Sequence, residues 1–282
     1  MLFTKPTYNR IKKKYFKFVK SQEVLSEPFR DKTGQLNNFY IPISEKIHQS
    51  FIKDRKTKII GLTGGQGSGK STISNIFKII LKQGYGLSTV IFSIDDFYKT
   101  LKQRKIMSKS ISPLFLTRGV PGTHDTKMLL QCIKNLKNNN FKKMDIPKFD
   151  KSIDNRLSKS NWLQVKKKPN IVIFEGWCVG ASAQKNKDLI SPINKLEKYK
   201  DKKKIWRQKV NLKLRKDYKK IFNLIDKLIF LKVPSFKYVF KWRLLQEEKL
   251  RITSSGKKTM SNTEIKNFIM FYERLTKHML KK

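Results

Sequence analysis

Residues 64–71 read Gly-Gly-Gln-Gly-Ser-Gly-Lys-Ser and fit the pattern G-x-x-x-x-G-K-[ST]. A β-rich apolar run, 58–63, precedes them, and Ile73, Ile76, Phe77 and Ile80 follow at helical spacing. A strand, a glycine loop and a helix in that order leave few folds open. Glycines let the backbone take φ > 0 and turn N–H groups onto phosphate oxygens, and a helix starting there adds the positive end of its dipole. The segment therefore reads as a nucleotide cradle, with Gly64, Gly65, Gln66, Gly67, Ser68, Gly69, Lys70, Ser71 and Thr72 as the phosphate-binding residues. Lys70 would neutralise transferred charge and act catalytically, while the Ser71 hydroxyl suits Mg²⁺, a small hard cation that prefers oxygen.

The 282 residues suit one large α/β domain with additions. Helix-compatible stretches at 11–19 and 43–52, joined by a Gly/Asn-containing connection at 31–38, predict an N-terminal helical extension over 1–55 ahead of a main domain at 56–282. Strand candidates at 58–63, 88–94, 170–174 and 227–233 alternate with helical patterns, which predicts a mostly parallel sheet with helices on both faces. The stretch 104–127 carries Ser, Pro, Gly and Thr punctuation without a clear period and reads as an ordered loop. Trp206, Val210, Leu214, Tyr218 and Phe222 fall four apart and predict a core-facing helix with a basic back. Ser261 and Glu264 have capping-box spacing before Ile265, Phe268, Ile269, Tyr272, Leu275 and Met279, which predicts a final helix.

A formal charge of +43 invites a polyanion partner. The excess, however, is almost all lysine, spread from Lys12 through Lys166 and Lys202 to Lys282, with no nucleic-acid-binding motif, so it reads as a solvated basic surface with no specific nucleic-acid partner. Cys132 and Cys178, with His48, His124 and His278, show no metal-ligand spacing and no disulfide framework. No apolar run approaches the roughly 18 residues of a membrane span, and the N-terminus lacks the apolar core of a signal peptide, so the expected location is cytoplasmic.

Phosphoryl transfer also needs carboxylates at the ends of neighbouring strands. Asp95 and Asp96 follow the apolar run Val90, Ile91 and Phe92, at the carboxyl edge of a strand where open α/β sheets bind ligands. Asp95 is the candidate base for a substrate hydroxyl; Asp96 either orients a metal-bound water or caps the following turn. Glu175 ends the run Ile171, Val172, Ile173 and Phe174 and is followed by Gly176, which suits a carboxylate acting on Mg²⁺ through water. The loop 118–125 is dense in anion- and hydroxyl-binding groups. Arg118 can clamp a carboxylate bidentately, and His124 and Asp125 can bond substrate hydroxyls, although Asp125 equally fits a helix cap.

Taken together, G-G-Q-G-S-G-K-S-T, S-I-D-D-F-Y, R-G-V-P-G-T-H-D, P-K-F-D-K-S, I-F-E-G-W-C-V-G and W-R-L-L-Q-E resemble the glycerate kinase family of P-loop kinases over roughly residues 40–280. That family comprises plant-type D-glycerate 3-kinases with bacterial and fungal relatives, and is more distantly similar to uridine kinases, phosphoribulokinases and pantothenate kinases. The resemblance implies a P-loop NTPase fold, ATP and Mg²⁺. It puts Asp95 in the place of the catalytic aspartate and Glu175 in the Walker-B position beside Ser71 as metal ligand. Asp96, Tyr98, Arg118, His124, Asp125 and Lys151 then form the acceptor-binding set. One departure is local: plant members carry a glycine-rich stretch ending in G-D-R after K-S, where this chain reads Ile153, Asp154, Asn155 and Arg156.

The reading is an ATP-dependent kinase for a hydroxyl of a small organic acid, D-glycerate first. Arg243, four residues before Glu247, is either a lid arginine or half of a structural ion pair. The rivals are a nucleoside, pantothenate or sugar-phosphate kinase, and a nucleic-acid-associated ATPase, which nucleic acid rather than glycerate would stimulate.

Overall fold

In the computed structural model, which describes residues 2–23, 28–253 and 260–281, the chain opens with helices α1 (Lys5–Gln22), α2 (Lys32–Gln35) and α3 (Ile41–Ile52). Strand β1 (Lys58–Gly64), α4 (Lys70–Tyr85), β2 (Thr89–Ser93), α5 (Leu101–Ser110) and α6 (Thr126–Lys137) follow. Then come the short strands β3 (Met144–Ile146), β4 (Phe149–Asp150), β5 (Asn155–Arg156) and β6 (Leu163–Val165), and the long strand β7 (Ile171–Gly176). The chain continues through α7 (Lys195–Lys200), α8 (Ile205–Lys213), α9 (Lys219–Phe222), β8 (Lys227–Leu231), α10 (Phe236–Thr253) and α11 (Asn262–Leu280).

The main sheet has the order β2-β7-β1-β8 with every pair parallel, as the alternation of strands and helices requires. β1 and β7 are central and buried along their whole length, because helices cover both faces. On one face Ile59, Val172 and Phe174 meet residues of α6 and α11 such as Leu129, Ile133 and Leu275. On the other, Ile60, Leu62, Ile171 and Ile173 meet Ile47 of α3 and Phe77 and Leu81 of α4. Beyond α4, its residues Ile76 and Ile80 pack with Ile11, Tyr15 and Val19 of α1, so the N-terminal helix braces the helix that follows the glycine loop.

Three local expectations change. The connection expected at 31–38 is helical from Lys32 onward: Asp31, at φ 42°, accepts from Gly34 N, and a π-helical turn, Leu36–Tyr40, runs straight into α3. Burial of Leu36 against α1 overrides the turn-forming Gly and Asn side chains. Within 104–127, residues up to Ser110 belong to α5, which a capping box of Thr100 and Gln103 starts. That helix lacks an apolar period because its buried anchor is a single arginine, Arg104. The stripe from Trp206 to Phe222 crosses a π-helical turn, Leu214–Tyr218. Four-residue spacing drifts by about 40° per step on an α-helix, and the wider turn takes the drift back, so Trp206, Leu214 and Tyr218 all stay buried. The capping box of Ser261 and Glu264 forms as expected.

Ile11 is fully buried between α1 and α4. Ile11→Ala should lower stability by about 2–5 kcal/mol and leave a single urea transition, since the cavity opens against the main domain. A loss below about 1 kcal/mol, or a separate early transition, would show the extension to be energetically independent of it.

Candidate active site

Parallel pairing sets the site's frame. Glu175 is in register with Ser93 of β2 and Leu62 of β1, so the glycine loop, the Asp95 turn and Glu175 all emerge at the carboxyl edge of the sheet. A cavity of about 660 Å³ opens there. Gln66, Gly67, Lys70 and Ser71 line it together with Asp95, Tyr98, Arg118, Phe149, Lys151 and Asp154.

The glycine loop takes its shape from two left-handed residues. Gly67 sits at φ 78°, and a Cβ there would lie 2.5 Å from Cβ of Trp242, so α10 presses directly on the loop. Gly69, at φ 79°, is the N-cap of α4. Lys70 Nζ donates to the carbonyls of Gly64 at 3.1 Å and Gly65 at 2.9 Å, and desolvation holds its pKa below the ordinary lysine range. Ser71 Oγ donates to Glu175 Oε1 at 2.8 Å. Glu175 Oε2 is buried with no hydrogen-bond partner among the described residues, and burial raises the pKa of this carboxyl against the pull of Ser71 and Lys70. An orphaned carboxylate oxygen beside a serine hydroxyl suits a hard cation with water in its shell. Among the described residues no group of three or more His, Cys, Asp and Glu side chains forms a protein-only metal site.

Asp95 and Asp96 have different surroundings. Asp95 Oδ2 accepts from Lys151 Nζ at 2.7 Å and Oδ1 from the Tyr98 hydroxyl at 2.9 Å. Burial works to raise its pKa, but the Lys151 ammonium, helped by Tyr98, overcomes this and holds it at about 2. Asp96 reaches back as the N3 member of a capping box, accepting from Ser93 N at 3.0 Å and from Lys148 Nζ at 2.9 Å. It touches the cavity wall, yet its carboxylate is committed to the fold. Of the two roles open in the sequence, the cap is the one formed.

The loop 118–125 delivers one charged side chain to the cavity. Gly119 N donates to Thr123 Oγ1, Gly122 N to the Tyr218 hydroxyl, Trp177 Nε1 to Gly119 O, and the Tyr272 hydroxyl to Arg118 O. These bonds hold a rigid loop whose Arg118 guanidinium lies 5.7 Å from the centroid of the Phe149 ring. His124 and Asp125 do not line the cavity. His124 is 1% exposed, stacked on Tyr98 and bonded through Nδ1 to the Tyr218 hydroxyl at 2.6 Å, where it supports the ring that touches Asp95. Asp125 caps α6 by accepting from Met128 N and pairs with Arg156 at 3.6 Å. Lys151 lines the cavity and pairs with Asp95 at 2.7 Å. Arg243 forms the ion pair with Glu247 and also lines the cavity.

The profile of the Phosphoribulokinase / Uridine kinase family matches residues 59–208, more than half of the chain and the part that carries the glycine loop, Asp95 and Glu175. The chain belongs to this family. It is an ATP-dependent phosphotransferase that acts on a hydroxyl. A kinase of Schizosaccharomyces pombe described as uncharacterized, mug58, is 34% identical over 243 residues, 82% of this chain and 85% of that protein. The chloroplastic D-glycerate 3-kinase of Arabidopsis thaliana is 28% identical over 85% of this chain, which spans 53% of the plant protein. The structure of D-glycerate 3-kinase from Cryptococcus neoformans var. grubii superposes with a TM-score of 0.71 at 24% identity, covering 85% of this chain and 88% of that one, a likeness of fold.

Several cavity residues of this kinase carry no sequence signal of their own. Arg104 lies in what reads as loop, and Tyr272 and Phe268 belong to an apolar stripe that reads only as core. Asp154 sits at the local departure from the plant pattern and is visible in sequence only as a difference.

Burial holds the His124 imidazole down at about 4, so it is neutral at physiological pH. The unfolded chain takes up that proton near pH 6.5, so the folded state should lose up to about 3 kcal/mol as pH falls from 6.5 to 4, and no more from this group below that. Imidazole NMR titration checks it: the His124 resonance should stay fixed from pH 8 to 5, and an inflection near 6.5 would contradict its burial as a neutral ring.

Proposed function

We propose that this kinase transfers the γ-phosphate of ATP to a hydroxyl of a small organic acid, with D-glycerate as acceptor and 3-phosphoglycerate as product. The observation that carries the reading is Arg118: a guanidinium lining the same cavity as Lys70 and Asp95. Such a group suits a carboxylate. The likeness to the plant D-glycerate 3-kinase supports the same acceptor.

In this reading the loop N–H groups and the dipole of α4 hold the phosphates, and Lys70 leaves the Gly64 and Gly65 carbonyls to neutralise the transferred charge. Ser71 and Glu175 would hold Mg²⁺, whose charge would offset that of the phosphates. Asp95 keeps capacity for the acceptor hydroxyl, since a carboxylate accepts about four hydrogen bonds and this one uses two described partners. With its pKa near 2 it orients the hydroxyl in the ground state and takes the proton only as the hydroxyl oxygen bonds to phosphorus. Catalysis is thereby mostly positioning and charge neutralisation.

Asp95→Asn should lower kcat at least a hundredfold with little change in the KM for ATP, because the amide keeps the bond to Lys151 or Tyr98 but does not accept the proton. Asp96→Asn should cost activity less, through a weakened turn. The opposite ranking would make Asp96 the base.

The test of the acceptor is ADP release with D-glycerate, glycerol and uridine, on the wild type and on Arg118→Lys. D-Glycerate should be strongly preferred, and the variant should lose about 1–3 kcal/mol in kcat/KM for D-glycerate while the KM for ATP holds. Comparable wild-type turnover of glycerol, or preference for uridine, would end the hydroxy-acid reading.

A further inference from the structure

Ion pairs stand in and beside the cavity. Asp95 pairs with Lys151, Asp96 with Lys148 and Glu247 with Arg243. Asp154, by contrast, is shared: its Oδ1 lies 2.9 Å from Arg104 Nη2 as an ion pair and accepts from Arg118 Nη1. Among the described residues these two guanidinium groups have no other carboxylate partner. Arg104 is a fixed charge: it is 1% exposed, and its other bonds go to the carbonyls of Lys99, Leu116 and Asp154. Arg118 is anchored by Asp154, by a longer bond to Lys151 O and by the Phe149 ring.

We propose that Asp154 sets the charge of the acceptor: by giving two arginines one carboxylate, it leaves this part of the cavity one positive charge, matched to a monoanion. The proposal rests on the hydroxy-acid reading above and adds the discrimination between acids. With one excess charge in a partly desolvated wall, a monocarboxylate completes the set of two cations and two anions. A dianion such as a phosphate ester brings a surplus negative charge against Asp154, and a neutral hydroxyl compound leaves the guanidinium charge unmatched. Asp154 acts through Arg118 and is a positioning residue.

The backbone gives a second argument. Asp154 lies at φ 52°, in the turn between β4 and β5, a conformation that glycine and asparagine also adopt with ease. Local geometry therefore does not demand a carboxylate at this position. What aspartate adds over asparagine is the charge, and the charge is spent on the two arginines.

For the same reason Asp154→Asn keeps shape, φ and an oxygen for both guanidinium groups while removing one negative charge. The experiment is calorimetric titration, at pH 8 and low salt, of D-lactate as monoanion and sn-glycerol 3-phosphate as dianion into enzyme saturated with Mg²⁺ and a non-hydrolysable ATP analogue. The wild type should bind lactate more tightly than glycerol 3-phosphate. Asp154→Asn should move the ratio of the two dissociation constants at least tenfold toward the dianion, and Asp154→Gly, whose backbone also suits φ 52°, should move it the same way. A ratio that stays within twofold in the folded variants overturns the proposal, as does a wild type that prefers the dianion or binds neither anion. Turnover of D-glycerate by the wild type reports separately on the hydroxy-acid reading. An enzyme that phosphorylates D-glycerate but shows no change in the ratio loses only the role of Asp154.

Discussion

β1 and β7 run parallel and in register from Lys58 opposite Ile171 to Thr63 opposite Gly176, so the glycine loop leaves one strand where Glu175 ends the other. The bond from Ser71 to Glu175 spans that junction and ties the first turn of α4 to the neighbouring strand. Both strands are buried along their length, so a slip of one residue would turn every core side chain to the wrong face. That burial makes the site's frame stiff. α10 packs against the loop through Trp242 against Gly67 and Val239 against Gly65, which leaves little room for side chains at those two positions.

Around this frame the cavity wall that carries Asp95, Arg118 and Lys151 is held largely by charge pairs. The turn between β4 and β5 places Lys151 on Asp95 and Asp154 on Arg104 and Arg118, while Arg156 of β5 reaches Asp125 and the carbonyl of Tyr98. Apart from the pair of the buried Arg104, these pairs are partly exposed and contribute little to stability, about 1 kcal/mol or less each. Their effect is geometric: they fix where each ammonium and guanidinium stands, and so what an incoming substrate meets. The loop 118–125 works in the same sense, as a self-bonded support that aims one arginine.

The nucleotide half was largely legible in sequence because its signals are local. A glycine loop between an apolar strand and a helix, and acids at the ends of two further strands, are short patterns whose meaning follows from backbone chemistry. The rest of the cavity lining was legible in part. Asp95, Tyr98, Arg118 and Lys151 do line the cavity, but His124 and Asp125 lie behind it and Asp96 is bound into a turn. A polar side chain in a loop looks the same in sequence whether it faces a ligand, a helix N-terminus or a tyrosine hydroxyl.

By itself, then, the sequence determined the four strands of the main sheet, the glycine loop and the acids at the sheet edge, since periodicity and glycine chemistry act over a few residues. Tertiary structure alone decided which charges meet. Arg104 and Arg118 reach Asp154 across 50 and 36 positions, and Tyr218 reaches His124 across 94. Contacts at such separations follow from how the sheet, the β4–β5 turn and α5 pack in space, and no spacing along the chain encodes them.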